Sequence, residues 1–233
     1  MERWLRRSIQ RNHLTNYSSL ANIKRMRSYG QYCGLARSLE VVGDRWNLLI
    51  VRELLMSPAR YRDLLDRLPG IATNLLAGRL RDLETAGVLE RRLTGTGSTV
   101  EYALTPWGAQ LREPIEGFIR WSTPLMIRGP EGDEFRLEWL ALAVPALLDR
   151  RVTDRSAPTI GLDVGDEPLQ LRTTRYGFEV LPHDGRDLVA TVRAEPAYVL
   201  GLAAGAFTLD DALALSLIEI DGDESAVRAA FAA

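Results

Sequence analysis

The sequence predicts two domains: a mainly α N-terminal domain of three helices and a β-hairpin, followed by an α+β C-terminal domain. The chain has 233 residues, 46% of them hydrophobic, which suffices for two cores because single domains commonly run to about 100 to 150 residues. Residues 1–128 carry 20 Arg and Lys against 12 Asp and Glu, whereas residues 129–233 carry 9 against 19. A basic half joined to an acidic half is typical of a protein that contacts an anionic polymer with one part only.

Three helices are predicted in the first domain, with turn residues between them. The apolar pattern of residues 35–56 breaks at Gly43, a second pattern covers residues 61–68, and a third covers residues 72–86. The third helix is predicted to place four leucines inward: Leu75, Leu76, Leu80 and Leu83.

A β-hairpin is predicted directly after the third helix. Strand patterns in residues 88–93 and 99–104 stand on either side of the glycine-rich residues 95–98. A further helix is predicted at about Pro106–Ile127, because a threonine N-cap precedes a proline at the first helical position. Three helices followed by a hairpin form a winged helix, in which one helix enters the major groove of DNA and the hairpin, or wing, reaches along the backbone.

The third helix is the predicted reading helix. The side opposite its leucines carries residue types suited to base edges or phosphates: Thr73, Asn74, Ala77, Gly78 and Arg81. Gly78 indicates a close approach to DNA, since a glycine inside a helix costs about 1 kcal/mol relative to alanine. Arg79 lies at the margin of the apolar side, where it either contacts a phosphate or forms an internal ion pair. The alternative for the whole face is an ordinary solvated surface.

Phosphate contacts, which fix register without specifying sequence, are predicted at two further places. The hairpin offers arginines and hydroxyls: Arg91, Arg92, Thr94, Thr96 and Ser98. Arg60 and Arg62 begin the second helix, whose free N–H groups favour a phosphate. The alternatives are solvated strand residues in the hairpin and plain exposed charges at the helix.

The N-terminal segment is strongly basic. Residues 1–28 carry seven bases and one acid, so we expect a flexible basic tail, with a DNA-gripping arm as the alternative.

Several other protein classes are disfavoured by the composition. A single cysteine, Cys33, excludes an internal disulfide, and no metal or cofactor is expected. No run approaches about 18 apolar residues and the N-terminus lacks a secretory h-region, so we expect a cytoplasmic protein without membrane contact.

The C-terminal domain is expected over residues 129–233. Its predicted elements are a helix (135–150), four strands (159–164, 169–174, 177–181 and 188–193), two helices (197–204 and 209–214), a strand (217–221) and a last helix (224–231). The alternation of Leu169, Leu171 and Thr173 indicates a sheet with one buried face.

No catalytic set stands out in this second domain, so an enzyme is not expected. The histidine in it, His183, falls in a predicted turn. Solubility or helix capping explains its turn carboxylates: Asp163, Asp166, Asp210 and Asp211.

Eight short segments of the first domain occur in a fixed order: CGLA (33–36), VVGDRWNLLI (41–50), RELL (52–55), RYRDL (60–64), LPGI (68–71), RLRDLE (79–84), GVLER (87–91) and VEYALT (100–105). Together they resemble the HxlR-type winged helix-turn-helix regulators of bacteria, over about residues 30–125. The resemblance implies a homodimer, formed partly through the helix at about Pro106–Ile127. It also implies binding to double-stranded DNA at inverted-repeat operators, as a repressor or an activator.

Two positions gain meaning from this resemblance. Ala72 stands where such proteins often place a serine at the start of the reading helix, and Thr73 is the candidate to take over the capping role, which leaves its base contact open. Some members of the family sense electrophiles or oxidants through a cysteine near the position of Cys33. For Cys33 the alternatives are therefore a redox role and a plain structural role.

The second domain carries the segments RAEPAYVLGLAAG (193–205), TLDDAL (208–213) and IEIDGD (218–223) after a helix and several strands. This order resembles the sterol-carrier-protein type of lipid-binding fold, which implies an apolar tunnel between sheet and helices. The candidate lining residues are Trp139, Leu140, Leu171, Phe178, Tyr198, Leu202 and Phe207. Core packing or a dimerising role is the alternative for the same residues.

The sequence thus predicts a homodimeric, sequence-specific DNA-binding transcriptional regulator, with a C-terminal domain that is a candidate site for a small apolar ligand. The alternative is an apolar-ligand carrier or protein-interaction module whose winged helix does not read DNA specifically.

Overall fold

The computed structural model describes residues 28–94, 99–126, 129, 131–152, 156–165 and 168–231. Its contacts divide the chain into two compact units, with the division between Arg112 and Glu113. The predicted fold class is confirmed, since a helical N-terminal region with a hairpin precedes an α+β region. The domain boundary predicted between residues 128 and 129 stays a prediction, and the predicted basic tail lies outside the described residues except for Ser28.

The first unit begins with four helices: α1 (Gly34–Val42), α2 (Asn47–Met56), α3 (Tyr61–Arg67) and α4 (Thr73–Thr85). They form where the apolar periodicity predicts them, because each buries its apolar stripe in a common core. The largest buried side chains of this core are Ile50, Leu64, Leu68, Leu76, Leu80, Leu83 and Leu89. The Asn47 amide donates to the carbonyl oxygen of Val41 at 2.9 Å, which holds the start of α2 against the end of α1.

The hairpin consists of β1 (Leu89–Thr94) and β2 (Thr99–Leu104), paired in register from Leu89 opposite Leu104 to Thr94 opposite Thr99. Its predicted turn, residues 95–98, lies outside the described residues. Ala59 forms an isolated β-bridge with Tyr102 of this hairpin. Its N–H donates to the carbonyl oxygen of Tyr102 at 3.0 Å, and its own carbonyl oxygen accepts the N–H of Tyr102 at 2.8 Å. The segment before α3 is therefore attached to the wing through the backbone.

The single helix predicted at about Pro106–Ile127 is wrong in one respect. The structure contains two helices, α5 (Pro106–Ala109) and α6 (Arg112–Met126), and Ile127 lies outside the described residues. Pro114 explains the break, since proline has no N–H to donate to the carbonyl of Gln110 and its ring conflicts with that carbonyl. Proline is tolerated in the first turn of a new helix.

One predicted helix of the second unit is shorter than expected. Instead of one helix over residues 135–150, a 3₁₀ turn (Leu137–Trp139) leads into α7 (Leu140–Leu148). The ring of Phe135 packs against the core, and the next residue, Arg136, has extended backbone angles (φ −124°, ψ 130°) that a helix does not allow.

A five-stranded sheet forms the centre of this unit. Its strands are β3 (Ile160–Asp163), β4 (Leu169–Thr174), β5 (Gly177–Pro182), β6 (Ala190–Ala194) and β7 (Ile218–Gly222). The spatial order is β5-β4-β3-β6-β7, with β3 and β6 parallel and the other neighbours antiparallel. Three further helices complete the unit: α8 (Pro196–Ala204), α9 (Leu209–Ala214) and α10 (Glu224–Phe231).

The alternation predicted for β4 is found only in part. Leu169 and Leu171 lie in a core shared with the helices, but Gln170 between them is also buried, and its amide donates to the carbonyl oxygen of Pro182 at 3.2 Å. Arg172, which follows Leu171, forms an exposed ion pair with Glu179 at 2.5 Å. Asp166, one of the predicted turn carboxylates, lies outside the described residues. None of the helices in the described part of the chain has the length and apolar character needed to span a bilayer.

Candidate DNA-binding surface

The reading helix α4 has one packed side and one open side. Leu76, Leu80 and Leu83 are at most 1% exposed. On the opposite side Asn74 and Arg81 are exposed, and Ala77 and Gly78 are half-buried. The predicted reading face therefore exists as one continuous surface of α4, and the role of its residues in DNA binding stays a prediction.

Leu75 departs from the prediction that it points inward. The residue is 38% exposed. At 3.6 residues per turn it lies about 100° around the helix from Leu76, so it stands at the margin of the stripe that Leu76, Leu80 and Leu83 bury.

The start of α4 is fixed by a bond that the sequence analysis missed. The hydroxyl of Tyr61 in α3 donates to the carbonyl oxygen of Thr73 at 2.7 Å. The predicted capping role of Thr73 is wrong, since the N-cap is Ala72 and Thr73 is already the first helical residue. Thr73 is exposed in the first turn, and no side chain caps this end of the helix.

Gly78 faces open space. A Cβ atom added there would meet no atom within 4 Å outside its own helix backbone. The fold therefore does not need a glycine at this position, although glycine lowers the stability of a helix interior. A close approach of DNA at Gly78 stays a prediction.

Arg79 forms the internal ion pairs that were one of its two predicted alternatives. Its guanidinium contacts the carboxylate of Asp44, in the turn between α1 and α2, and lies 3.4 Å from the carboxylate of Asp82. Arg79 thus ties the reading helix to the turn before α2. A phosphate contact by Arg79 stays a prediction.

The candidate phosphate contacts of the hairpin are half-exposed and paired with protein carboxylates. Arg91 Nε lies 2.8 Å from Glu84 of α4, which raises the pKa of Arg91, and Arg92 lies 2.8 Å from Glu90. Exposed ion pairs of this kind contribute little, about 0 to 1 kcal/mol, so a phosphate can replace the carboxylate at small cost.

The remaining phosphate candidates have mixed positions. Arg60 precedes α3 with its side chain 3.8 Å from Glu101, and its N–H donates to Asp63 at 2.9 Å. The Thr94 hydroxyl donates to the carbonyl oxygen of Thr99 at 3.4 Å. Thr96 and Ser98 lie outside the described residues.

Tyr102, opposite Arg91 in the hairpin register, lies beside the same surface. Burial raises the pKa of its phenol. Arg81 and Tyr61 contribute to its electrostatic surroundings. The wing and the reading helix thus meet around Tyr102.

Cys33 is exposed and is the N-cap residue of α1. Backbone N–H groups of Ala36 and Leu35 lower the pKa of its thiol, because they stabilise the thiolate. Exposure and a lowered pKa are the two properties that a reactive thiol needs. A redox role of Cys33 stays a prediction.

The candidate ligand residues of the second unit belong largely to its core. Leu140, Leu171, Phe178 and Leu202 are buried in it, and Tyr198 and Phe207 pack against it while partly exposed. Trp139, at the end of the 3₁₀ turn, is half-buried. Whether these residues line a ligand site stays a prediction.

Three helices with an open reading face, followed by a hairpin wing, define a winged helix-turn-helix DNA-binding protein. Residues 41–128 match the model of the family described as HxlR-like helix-turn-helix. The chain belongs to this family through that segment.

The most informative relatives are bacterial regulators. The chain is 36% identical over 84 residues to sll1512 of Synechocystis, named an uncharacterized HTH-type transcriptional regulator, a match that covers 36% of this chain and 62% of sll1512. It is 33% identical over 86 residues to the HTH-type transcriptional regulator YodB of Bacillus subtilis, covering 36% of this chain and 77% of YodB.

Two solved structures are similar to part of the chain. The reduced form of YodB from B. subtilis is 30% identical and covers 42% of this chain and 99% of that one, with a TM-score of 0.37. PA1607 is 34% identical and covers 46% of this chain and 75% of that one, with a TM-score of 0.41.

Replacing Gly78 with alanine separates folding from DNA binding. We expect Gly78→Ala to raise the free energy of unfolding by about 0.5 to 1 kcal/mol, since alanine favours the helix and meets no neighbour. We expect the same variant to bind selected DNA at least about fivefold more weakly, because the added methyl group keeps the DNA away. Thermal unfolding and fluorescence anisotropy measure the two effects.

Gly34→Ala is the matched control for this experiment. Gly34 is also helical and faces open space, but it lies in α1, so DNA affinity should not change. Unaltered DNA affinity in Gly78→Ala would show that DNA does not approach this face closely.

Proposed function

We propose that this protein is a homodimeric, sequence-specific DNA-binding transcriptional regulator that recognises an inverted-repeat operator. The observation that carries the proposal is the open face of α4, where Asn74 and Arg81 stand exposed on either side of a glycine that the fold does not require. Asparagine and arginine are the residue types that bond adenine and guanine edges bidentately in the major groove. The family to which the chain belongs consists of helix-turn-helix proteins.

The wing supports the same function. Its arginines Arg91 and Arg92 are half-exposed and form ion pairs with the half-buried Glu84 and the half-exposed Glu90. Such surface pairs are weak, so both arginines are available to DNA phosphates beside the reading helix. Because Ala59 forms a β-bridge with Tyr102, the wing is attached through the backbone to the segment that leads into α3. This attachment does not depend on the arginines, so it is kept when they exchange their carboxylate partners for phosphates.

The dimer part of the proposal rests on α6. Phe118, Trp121 and Leu125 are strongly exposed and recur at positions i, i+3 and i+7, so they form one apolar stripe along the helix. Exposed stripes of large apolar side chains mark protein interfaces. A second copy of the chain is the occupant that the family resemblance implies for this helix, and two copies would present two reading helices to an inverted repeat.

Selection of bound sequences from a random DNA pool tests the regulator proposal. We expect enrichment of an inverted repeat with half-sites about one helical turn apart. Arg81→Ala should bind the selected duplex at least about tenfold more weakly, because it loses a base or phosphate contact at the open face. Titrations at two salt concentrations distinguish the contacts, since the loss of a phosphate contact reduces the salt slope by about one.

Arg186→Ala is the matched control, since Arg186 is a strongly exposed arginine of the second unit. It should leave the affinity and the salt slope unchanged. Weak binding to all sequences that salt abolishes would contradict the proposal and favour the alternative, an apolar-ligand carrier or protein-interaction module.

Substitution of Trp121 tests the dimer. Trp121 is 76% exposed, and a buried aromatic at the centre of an interface contributes about 2 kcal/mol or more. We expect Trp121→Glu to raise the dimer dissociation constant at least about 30-fold, as measured by sedimentation velocity across a dilution series. Tyr176→Glu, which alters an exposed aromatic of the β4–β5 turn, should not affect it. A monomeric wild-type protein would contradict the dimer proposal.

We further propose that residues 129–233 form a separate domain that binds a small apolar effector. The support is the resemblance to lipid-binding folds and the position of Tyr198 and Phe207, which lie partly exposed at the edge of an otherwise closed apolar core. Regulation by such a ligand requires that it prefer one dimer geometry.

A fatty acid tests the effector proposal. A ligand that binds only the folded state stabilises it by about 2.7 kcal/mol at 100 times its dissociation constant. We expect palmitate, kept below its micelle concentration, to raise the unfolding midpoint of the wild-type protein, and to do so less for Phe207→Ala. An unchanged midpoint at every concentration would contradict this proposal and leave the DNA-binding proposal intact.

A further inference from the structure

We propose that Leu75 is a base-reading residue that contacts the C5 methyl group of a thymine in each operator half-site. The inference rests on the proposed DNA-binding function and adds a specificity determinant to it. Leu75 is 38% exposed, although the leucines of the same helix at positions 76, 80 and 83 are at most 1% exposed. The core of the first unit therefore does not account for an apolar side chain at this position.

The position of Leu75 in α4 suits contact with a base edge. It is the third residue of the helix, and in helix-turn-helix proteins the N-terminal residues of the recognition helix contact the bases. The bond from Tyr61 to the carbonyl of Thr73 fixes this turn in place. Leu75 is thus presented on a rigid element rather than on a loop.

The surface next to Leu75 is open. Gly78 lies one turn further along the helix, at i+3, and offers no side chain. A base edge can therefore approach the helix backbone at Gly78 and contact the side of Leu75. A larger residue at position 78 would keep the groove at a distance that a leucine could not span.

One guanidinium offsets part of the negative charge on the Leu75 flank of α4. Asp82 and Asp44 would repel DNA phosphates, but the guanidinium of Arg79 contacts both carboxylates. Arg79 lies at i+4 from Leu75, on the same side of the helix. The pairing lowers the negative charge beside Leu75 without removing it, and Asn74 and Arg81 supply the polar contacts to DNA.

The chemistry of the major groove then identifies the partner group. Among the four bases, only thymine presents an apolar group there, its C5 methyl, and apolar side chains recognise it by contact. Adenine, guanine and cytosine present hydrogen-bonding groups that a leucine cannot satisfy. A thymine next to the base that Asn74 reads is the partner that the surface fits.

The experiment uses the duplex that the full-length wild-type protein selects from a random pool, with each thymine replaced in turn by deoxyuridine, which lacks the methyl group. We expect wild-type binding to fall about fourfold at one thymine position of a half-site, the loss typical of one buried methyl group. We expect Leu75→Ala to bind the thymine and uracil duplexes at that position equally well. Leu75→Met, which keeps an apolar contact, should retain most of the discrimination.

Leu93→Ala is the matched control. Leu93 is an exposed leucine of the wing, 70% exposed, and its loss should leave the thymine preference unchanged. A wild-type protein that is insensitive to every thymine replacement, or a Leu75→Ala variant that keeps the full discrimination, would overturn the inference while the selected duplex still supports DNA reading. If the wild-type protein selects no sequence, both the inference and the proposed function fail.

Discussion

The packing of three leucines at the back of α4 determines what the front of the helix offers. Leu76, Leu80 and Leu83 are almost fully buried, and burial of each contributes about 1.5 to 3 kcal/mol. Rotation of the helix by one residue position would move this set out of the core and bring Arg79 or Arg81 toward it, at a large desolvation cost. The orientation of the exposed residues is therefore a result of core packing, and the chemistry of the open face depends on it.

Apolar patterns predicted nearly every element, because most helices and strands bury a regular set of apolar side chains. The departures have local causes that a periodic pattern does not contain. Leu75 lies at the margin of the apolar stripe of α4 and is exposed. Pro114 interrupts a helix whose apolar spacing continues past it. The parallel pairing of β3 with β6 joins strands that are distant in sequence, and no local pattern specifies it.

For the candidate site, the sequence supplied the residue types but not their partners. The sequence left two roles open for Arg79, a phosphate contact and an internal ion pair. Its ion-pair partner Asp44 is 35 residues away and is brought near only by the fold. The anchoring hydroxyl of Tyr61 was missed for the same reason, since its acceptor is a backbone carbonyl. In the second unit, Leu171 and Phe178 could be core or pocket residues, because the same apolar side chains form both. The structure buries both residues in the core. A binding experiment with an apolar ligand distinguishes a ligand site from plain core packing.

The pairing between Ala59 and Tyr102 has a consequence for how this protein tolerates change. Both hydrogen bonds join main-chain atoms, so they do not depend on the identity of the two side chains. Drift in the wing sequence can thus alter DNA contacts while the wing keeps its attachment to the segment before α3. Proline is the exception at both positions, since it would remove a donor. Other side-chain substitutions at these two positions are therefore expected to leave the attachment of the wing intact.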